Sequence, residues 1–191
     1  MEQMAAADRR LTYADFLLFP DDGKRHEIID GVHYVTASPN PGHQELVGRL
    51  YLAIGNHLAA RRHQGRVFLS PLDVVMSNHD VVEPDLLFVA GDQQTILTAT
   101  NVQGAPALLV EVLSPSTRRR DEGIKRQLFD RVGVREYWLV DPTVRRVVVF
   151  RRADDGSLQA AQNLRCDMGA HLTTPLLPDF TLAIDWLFEA W

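Results

Sequence analysis

The chain has 191 residues, of which 46% are hydrophobic and 24% are charged. These are the proportions of an ordinary globular domain, and they exclude a disordered, collagen-like or coiled-coil chain. The length predicts a single domain over residues 1–191. The formal net charge of -5 gives no general attraction to polyanions, so a nucleic-acid partner would need a local basic patch.

The sequence does not indicate a membrane helix, a signal peptide, a disulfide or a zinc site made of several thiolates. No stretch approaches the roughly 20 apolar residues of a membrane helix, and the N-terminal MEQMAAADRR lacks the apolar core of a signal peptide. We therefore expect a cytoplasmic protein with no membrane partner. The single cysteine, Cys166, excludes an internal disulfide and a zinc site made of several thiolates, so any metal would need oxygen ligands.

The first third of the chain predicts a short helix, a hairpin and a long helix. Thr12 is a suitable N-cap before a short apolar stretch. The pair Asp30–Gly31 between RHEII and VHYV is typical of a two-residue hairpin turn, which puts Glu27 on a strand. From Pro41 to about Arg62, apolar residues recur at three- and four-residue spacing and predict an amphipathic helix.

The middle of the chain predicts strands. VFLSPLDVVM indicates one bent strand or two short ones around Pro71. The polar turn Ser77–Asp80 leads into VVEPDLLFVA, where Asp85 opens an apolar run. A polar stretch over residues 91–104 precedes ALLVEVL, which is apolar at almost every position, as a strand covered on both faces would be.

The pattern then alternates between helix and strand. Ser114–Thr117 offer N-caps for a helix with Ile124 and Leu128 on its apolar face, and Gly133 can end it. REYWLVDP and RRVVVFRR predict a strand hairpin, and residues 153–191 predict a few short strands and an apolar turn. This order predicts an α/β fold with a mixed, largely central sheet.

Glu111 is the informative anomaly, because it lies inside the apolar strand LLVEVL, on the face of Leu109 and Leu113. A buried carboxylate costs several kcal/mol unless it is paired, hydrogen-bonded or bound to a metal. Asp85 is a second acid on an apolar strand, and two such acids on neighbouring strands can converge. Hard oxygen ligands without a His or Cys cluster suit Mg²⁺ or Mn²⁺.

Lys125 lies on the helix after the Glu111 strand and can return its ammonium group towards that strand. A lysine beside a carboxylate-held metal can neutralise developing phosphate charge. The alternative is a surface lysine paired with Asp121, four residues earlier, and spacing alone favours this alternative.

Two further features have two interpretations each. The run Arg118, Arg119 and Arg120 is either a solvated helix face or, because it lies beside the predicted site, a contact surface for nucleic-acid phosphates. His43 is either a substrate contact or a solvated residue of the first helical turn, and the second interpretation is favoured.

The segments EPDLLFV and LLVEVLSPSTRRRDEGIKRQLFDRVGVREYWLVDP, with RHEIIDG and PGHQELVGRL, resemble a known family over about Leu11 to Phe150. It is the family of restriction-endonuclease-like proteins once classified as a domain of unknown function, within the PD-(D/E)XK nuclease superfamily. Pro84 and Asp85 match the Pro-Asp pair, and Glu111 matches the second acid. The lysine expected two residues later is replaced by Leu113, which departs from the superfamily pattern.

The resemblance implies how the other site residues are used. Lys125 stands where the lysine of this family is thought to have migrated, and Glu27 matches an acid that often completes the metal site. The implied fold is a restriction-endonuclease-like core, a mixed β-sheet flanked by helices. The implied activity is metal-dependent hydrolysis of phosphodiesters in DNA, with Asp85 and Glu111 holding Mg²⁺ or Mn²⁺, Lys125 stabilising charge and Glu27 as a further ligand or water-orienting group.

Two other functions are consistent with the sequence. The same fold could be a catalytically inactive nucleic-acid-binding or interaction module, because fold alone does not guarantee chemistry. An enzyme that acts on a smaller phosphate ester is the third reading. By analogy with nucleases of this type, a homodimer is expected.

Overall fold

The computed structural model describes residues 9–62 and 64–189. The α-helices are Tyr13–Phe16 (α1), Pro41–Ala60 (α2), Arg126–Arg131 (α3) and Ile184–Leu187 (α4). A π-helical segment, Arg120–Lys125, runs directly into α3, and Gly91–Ile96 and Cys166–Met168 are short 3₁₀ helices. Among the residues just given, no helix is long and apolar enough to cross a membrane.

The strands form three sheets. The strands are Arg25–Ile29 (β1), Val32–Thr36 (β2), Arg66–Leu69 (β3), Val74–Ser77 (β4), Asp80–Val82 (β5), Leu86–Val89 (β6), Val102–Gln103 (β7), Leu108–Val112 (β8), Glu136–Asp141 (β9), Arg146–Arg152 (β10), Leu158–Arg165 (β11), His171–Leu172 (β12) and Leu182–Ala183 (β13). A six-stranded sheet has the order β11-β10-β9-β8-β6-β3, and only its β8–β9 pair is parallel. A five-stranded sheet has the order β2-β1-β5-β4-β7, and β12 pairs with β13. These mixed sheets with flanking helices confirm the α/β class.

The mixed six-stranded sheet is accompanied by a second, five-stranded sheet, and two prolines mark the changes from one sheet to the other. β3 pairs with β6 in the larger sheet, whereas the next strands, β4 and β5, pair with each other in the smaller one. Pro71 lies between β3 and β4, and Pro84 lies between β5 and β6. Proline has no N–H to donate to a strand ladder, so both segments leave one sheet and enter the other at these residues. Asp85 directly follows the second break.

Local sequence signals account for the elements that surround this break. The hairpin of β1 and β2 turns at Asp30 and Gly31, whose φ angles of 53° and 76° are the positive values that the tight turn requires. α2 begins at Pro41, and the side chain of Asn40 caps it by accepting the N–H of His43.

The six-stranded sheet carries a core on each face. Alternation along β8 puts Leu108, Val110 and Val112 in the core that contains the apolar residues of α2. Leu109 lies in the opposite core, with Leu128 of α3. Glu111 is on the Leu109 side, as predicted, so this carboxylate enters the layer that contains α3.

The helix after β8 differs from the prediction at its first turns. Ile124, expected on the apolar face, is 40% exposed, whereas Asp121 and Lys125 are buried. The π-helical segment explains the difference, because an i→i+5 turn contains more residues than an α turn and shifts the following side chains around the axis. π-helical turns of this kind are frequent at functional sites.

Candidate active site

Lys125 joins two acids from different sheets. Its Nζ lies 2.6 Å from Oε1 of Glu111 on β8 and 2.7 Å from Oε1 of Glu27 on β1. The three residues are 2%, 2% and 1% exposed, respectively. The π-helical segment makes this contact possible, since Lys125 is its last residue and is turned inward. The ammonium group therefore bridges the two sheets at the Pro84 break.

Glu27 has two further partners besides Lys125. Its Oε1 also accepts the backbone N–H of Glu83 at 3.0 Å, and Oε2 lies 3.3 Å from Nη2 of Arg120. Arg120 in turn donates to Oγ1 of Thr36 at 2.5 Å, and its guanidinium lies 5.6 Å from the ring centre of Tyr34. Both contacts are to β2, so the β1–β2 hairpin fixes the position of Arg120.

Asp121 is the third buried acid near Lys125. Its Oδ1 lies 3.8 Å from Nζ of Lys125, the i,i+4 pairing that the sequence indicated, but the pair is buried rather than on the surface. The hydroxyl of Tyr137 on β9 donates to the backbone carbonyl of Asp121 at 3.1 Å. We call Glu27, Glu111, Asp121, Lys125 and Arg120 the buried cluster.

Asp85 is held by three donors. Oδ1 lies 2.6 Å from Nη1 of Arg25, and Oδ2 lies 3.1 Å from Nε2 of His43. Oδ2 also accepts the backbone N–H of Val112 at 2.8 Å, which ties Asp85 to the residue after Glu111. With Glu83, whose backbone carbonyl accepts from Arg25 at 3.4 Å, these residues form what we call the open half of the site.

The open half faces a cavity. A cavity of about 320 Å³ is lined by Asp85 and Glu83 as well as Arg25 and His43, and it is open to solvent. Burial alone would raise the pKa of Asp85, but hydrogen bonding by His43 and the charge of Arg25 outweigh it and lower that pKa to about 2. Burial, with repulsion from Asp73 and Glu27, raises the pKa of Glu83 to about 7.

The acids of the buried cluster behave differently from one another. Burial raises the pKa of Glu111 well above its usual value, and Lys125 only partly offsets this because Asp85 and two other acids repel the charge. For Glu27 the balance is reversed: burial opposes ionisation, but Lys125 and Arg120 hold its pKa below the usual value. Burial would lower the pKa of Lys125, yet the surrounding carboxylates raise it. Lys125 is therefore a permanent cation.

The structure brings together the four residues predicted to carry chemistry, Glu27, Asp85, Glu111 and Lys125. His43 is 8% exposed and contacts Asp85, so its interpretation as a solvated first-turn residue is wrong. The N-terminal position in the helix suggested exposure, but α2 begins against the site rather than in solvent.

The three consecutive arginines do not form one exposed patch. Arg118 makes a two-pronged ion pair with Asp141 at 2.7 and 2.8 Å, Arg119 is exposed, and Arg120 belongs to the buried cluster. Asp141, the last residue of β9, is the buried partner of this pair.

Sequence reasoning missed Arg25 and Glu83, and it considered Asp121 only as a surface partner. Arg25 lies two residues before Glu27 on β1, so strand alternation puts both on one face, and this was a usable signal. Glu83 precedes the Pro-Asp pair directly.

The acids of the site are the kind of ligand that a divalent cation takes, although Glu27 and Glu111 are arranged around the ammonium group of Lys125. Within residues 9–62 and 64–189, no group of three or more His, Cys, Asp or Glu residues is arranged to hold a metal ion. However, Oε2 of Glu27 and Oδ1 of Asp121 are buried without a hydrogen-bond partner, and both are hard oxygen donors. Together with Asp85 and Glu111, they give four acids against three permanent cations, Arg25, Arg120 and Lys125. With all four acids ionised, one negative charge would be left without a permanent cation, and a divalent cation would compensate it.

The split mixed sheet and the acid–lysine cluster define a restriction-endonuclease-like protein. A family model described as Uma2, putative restriction endonuclease, matches residues 13–185, and the chain belongs to this family. An uncharacterized protein of Synechocystis sp., slr1290, is 27% identical over 135 residues, which cover 70% of this chain and 69% of that protein.

A solved structure shows the same fold. The crystal structure of a putative nuclease belonging to DUF820 from Anabaena variabilis superposes with a TM-score of 0.76 at 21% sequence identity. The superposition covers 94% of this chain and 98% of that chain. The restriction-endonuclease-like fold that the resemblance implied is thereby confirmed.

Proposed function

We propose that this protein is a metal-dependent endonuclease that hydrolyses phosphodiester bonds in DNA. The observation that carries the proposal is the convergence of Glu27 and Glu111 on Lys125, with Asp85 near enough to Glu111 for its charge to raise the pKa of that carboxyl group. Membership of a family described as putative restriction endonucleases supports it, and so does the fold shared with a protein described as a putative nuclease.

Each residue has a role that its contacts suit. Asp85 and Glu111 would hold Mg²⁺ or Mn²⁺, with Glu27 as a further ligand or a water-orienting group. When bound, the cation supplies Lewis acidity and lowers the pKa of water. Arg25, His43 and the Val112 N–H keep Asp85 ionised and fixed, because all three act on its carboxylate oxygens. Lys125 would place a positive charge near the scissile phosphate.

A second candidate is a catalytically inactive nucleic-acid-binding module. One observation favours it: Lys125 already contacts both Glu27 and Glu111, so part of the charge that a metal would neutralise is neutralised within the chain. In that case the cluster would be a structural ion-pair network, since such networks also perturb pKa values.

Plasmid nicking by the purified protein, with Mg²⁺ or Mn²⁺ and in parallel with EDTA, separates the two candidates. The variants are Glu111→Gln and Glu111→Ala, with Asp92→Asn as a control because Asp92 is an exposed acid that pairs with Arg135. We expect nicking that needs metal, persists in Asp92→Asn, and falls by roughly a hundredfold or more in both Glu111 variants.

Calorimetric titration with Mn²⁺ gives an independent readout. Weaker binding in Glu111→Ala than in the unaltered protein supports the metal site. Unchanged Mn²⁺ binding, or no cleavage of duplex or single-stranded DNA with either metal, would instead favour the binding module.

A further inference from the structure

Helix α2 presents an uncharged face to solvent over its second half. From Leu50 to Ala60 the helix contains no Asp, Glu, Lys or Arg residue. Its buried residues lie on one side, whereas Tyr51 and Leu52 on the other side are 40% and 52% exposed. The outer face of a surface helix is normally polar and charged, and exposed apolar patches mark interaction sites. This face of α2 is therefore a candidate interaction surface.

The apolar surface continues from α2 onto α4. Trp186 of α4 is 38% exposed, and the guanidinium of Arg49 lies 5.6 Å from the centre of its ring. Leu52, Phe180 and Trp186 line a cavity of about 400 Å³ that is open to solvent. Aromatic residues beside such a cavity are typical of the centre of a protein–protein interface, where a partner's side chain fills the cavity. We call Tyr51, Leu52 and Trp186, with this cavity, the α2 surface.

The α2 surface has charges of opposite sign at its two ends. Glu45 lies at the N-terminal end, where its ion pair with Arg49 engages one carboxylate oxygen and leaves the side chain 44% exposed. Arg62 lies just beyond the C-terminal end, is exposed, and makes no ion pair with another residue that the structure describes. Two antiparallel copies of α2 would bring these opposite charges together, whereas parallel copies would bring like charges together. Antiparallel helices also align their dipoles favourably.

We propose that α2 packs antiparallel against α2 of a second copy of this chain, with the two-fold axis at Leu52. The outward positions of α2 recur every three or four residues and are centred on this residue: Glu45, Gly48, Leu52, Gly55 and Ala59. Rotation about the axis therefore places Glu45 opposite Ala59 of the second copy, about one helical turn before its Arg62.

Two glycines allow the paired helices to approach closely. A Cβ added at Gly48 or Gly55 would meet no atom within 4 Å, apart from its chain neighbours and the backbone of its own helix. Glycine is unfavourable inside a helix, and no described neighbour requires it at either position. A second helix packed on the α2 surface would give both glycines a role.

A second copy fits the α2 surface better than a nucleic-acid strand does. Phosphates need cations, and Leu50–Ala60 supplies none. Arg49 is already engaged, since its Nε pairs with Glu45 and its Nη1 donates to the backbone carbonyl of Trp186 at 2.6 Å. A two-fold interface needs a surface that is complementary to itself, and an apolar centre between opposite charges meets this condition. Dimerisation at this surface is independent of the proposed nuclease activity.

Sedimentation velocity of the full chain over a dilution series, in EDTA and without DNA, measures the association. Leu52→Arg places two like charges face to face at the axis, and Gly48→Gln adds a side chain where the helices approach. Val144→Arg is the matched control, because Val144 is 48% exposed and lies outside α2. Urea unfolding of each variant identifies any loss of folding.

We expect a dimer whose dissociation constant rises by roughly a hundredfold or more in Leu52→Arg, because like charges meet in an apolar interface. Gly48→Gln should raise it roughly tenfold through overpacking, while the variant stays folded because glutamine favours a helix more than glycine does. Val144→Arg should match the unaltered protein.

A charge exchange tests the antiparallel arrangement. Glu45→Lys and Arg62→Glu should each weaken the dimer by roughly threefold, and the double variant should recover the original affinity because the opposite charges meet again. No recovery in the double variant would contradict the antiparallel pairing.

The inference is overturned if the unaltered protein is a monomer at every concentration, or if folded Leu52→Arg and Gly48→Gln dimerise as the unaltered protein does. A monomer whose binding of a labelled oligodeoxynucleotide, measured by fluorescence anisotropy, is lost in Gly48→Gln would assign the α2 surface to nucleic acid instead. Because neither measurement involves cleavage, a dimer without any nicking would leave this interface standing and end the nuclease proposal. Metal-dependent nicking by a monomer would do the reverse.

Discussion

The open half of the site and the buried cluster differ in how their carboxylates are compensated. In the open half, Asp85 meets three donors and a cavity, and its pKa is lowered to about 2. In the buried cluster, Glu111 shares the ammonium group of Lys125 with Glu27, and its pKa is raised well above the usual value. One acid is thus stabilised as an anion, while the other is held in a place where its negative charge is unfavourable.

This difference shows that the buried cluster is arranged around a deficit of positive charge. A structural ion pair would match each buried carboxylate with one cation, because an unmatched buried charge is costly. Here Lys125 contacts two carboxylates and lies near a third, Arg120 pairs with one of them, and two carboxylate oxygens have no hydrogen-bond partner. Strongly perturbed pKa values such as that of Glu111 cluster at functional sites, and structural ion-pair networks also produce them.

The largest effect is expected when Lys125, the cation that the three acids of the buried cluster share, is removed. In Lys125→Met, Glu27 and Glu111 would keep their burial and lose their shared partner. Breaking a buried ion pair from one side costs about 3–5 kcal/mol, and urea unfolding at neutral pH would measure this loss.

Lys24→Met is the matched control. Lys24 pairs with Asp22 at 2.8 Å on the surface, where a lysine–aspartate pair contributes less than about 1 kcal/mol. Equal unfolding free energies for the two variants would contradict the description of the cluster as an uncompensated buried site.

The pH dependence of stability should distinguish the two halves by sign. Folding lowers the pKa of Asp85 from 3.8 to about 2, so its ionised form stabilises the folded state above pH 3.8, and this contribution disappears as the pH falls towards 2. The advantage of the unaltered protein over Asp85→Asn should therefore shrink by about 2 kcal/mol across that interval. Urea unfolding over a pH series measures it.

Glu111→Gln should show the opposite trend. Because folding raises the pKa of Glu111, the folded state holds that proton more tightly, and the unaltered protein loses stability as the pH rises above 4.5, the usual glutamate value. The glutamine variant lacks this loss, so its stability relative to the unaltered protein should increase with pH. Parallel pH curves for the Asp85 and Glu111 variants would show that the two halves are electrostatically alike.

Local signals account for what the sequence predicted well. The Asp30–Gly31 turn, the periodicity of α2 and the apolar β8 strand are each encoded within a few neighbouring residues, and each has the expected form. Glu111 and Asp85 were found because an acid in an apolar strand contradicts the pattern around it.

Contacts between distant segments explain what the sequence did not predict. The division into two sheets depends on where Pro71 and Pro84 end two paired segments, which periodicity within one segment cannot show. Arg25 lies at the start of a strand, where an arginine is usually solvated, and its partner Asp85 is 60 residues away. The π-helical segment changed the inward face of a helix whose apolar spacing favoured Ile124.

The smallest effect is expected at Ile124, and it tests whether the π-helical segment turns this residue outward. If the π-helical turn directs Lys125 into the cluster and Ile124 outward, then Ile124→Gln should change the unfolding free energy by no more than about 0.5 kcal/mol, as at other surface positions. Leu128→Ala, one turn later and fully buried, should cost about 2–5 kcal/mol. A loss of comparable size in Ile124→Gln would mean that this isoleucine packs inside. Lys125 would then be displaced from Glu27 and Glu111, and the contrast between the two halves would not hold.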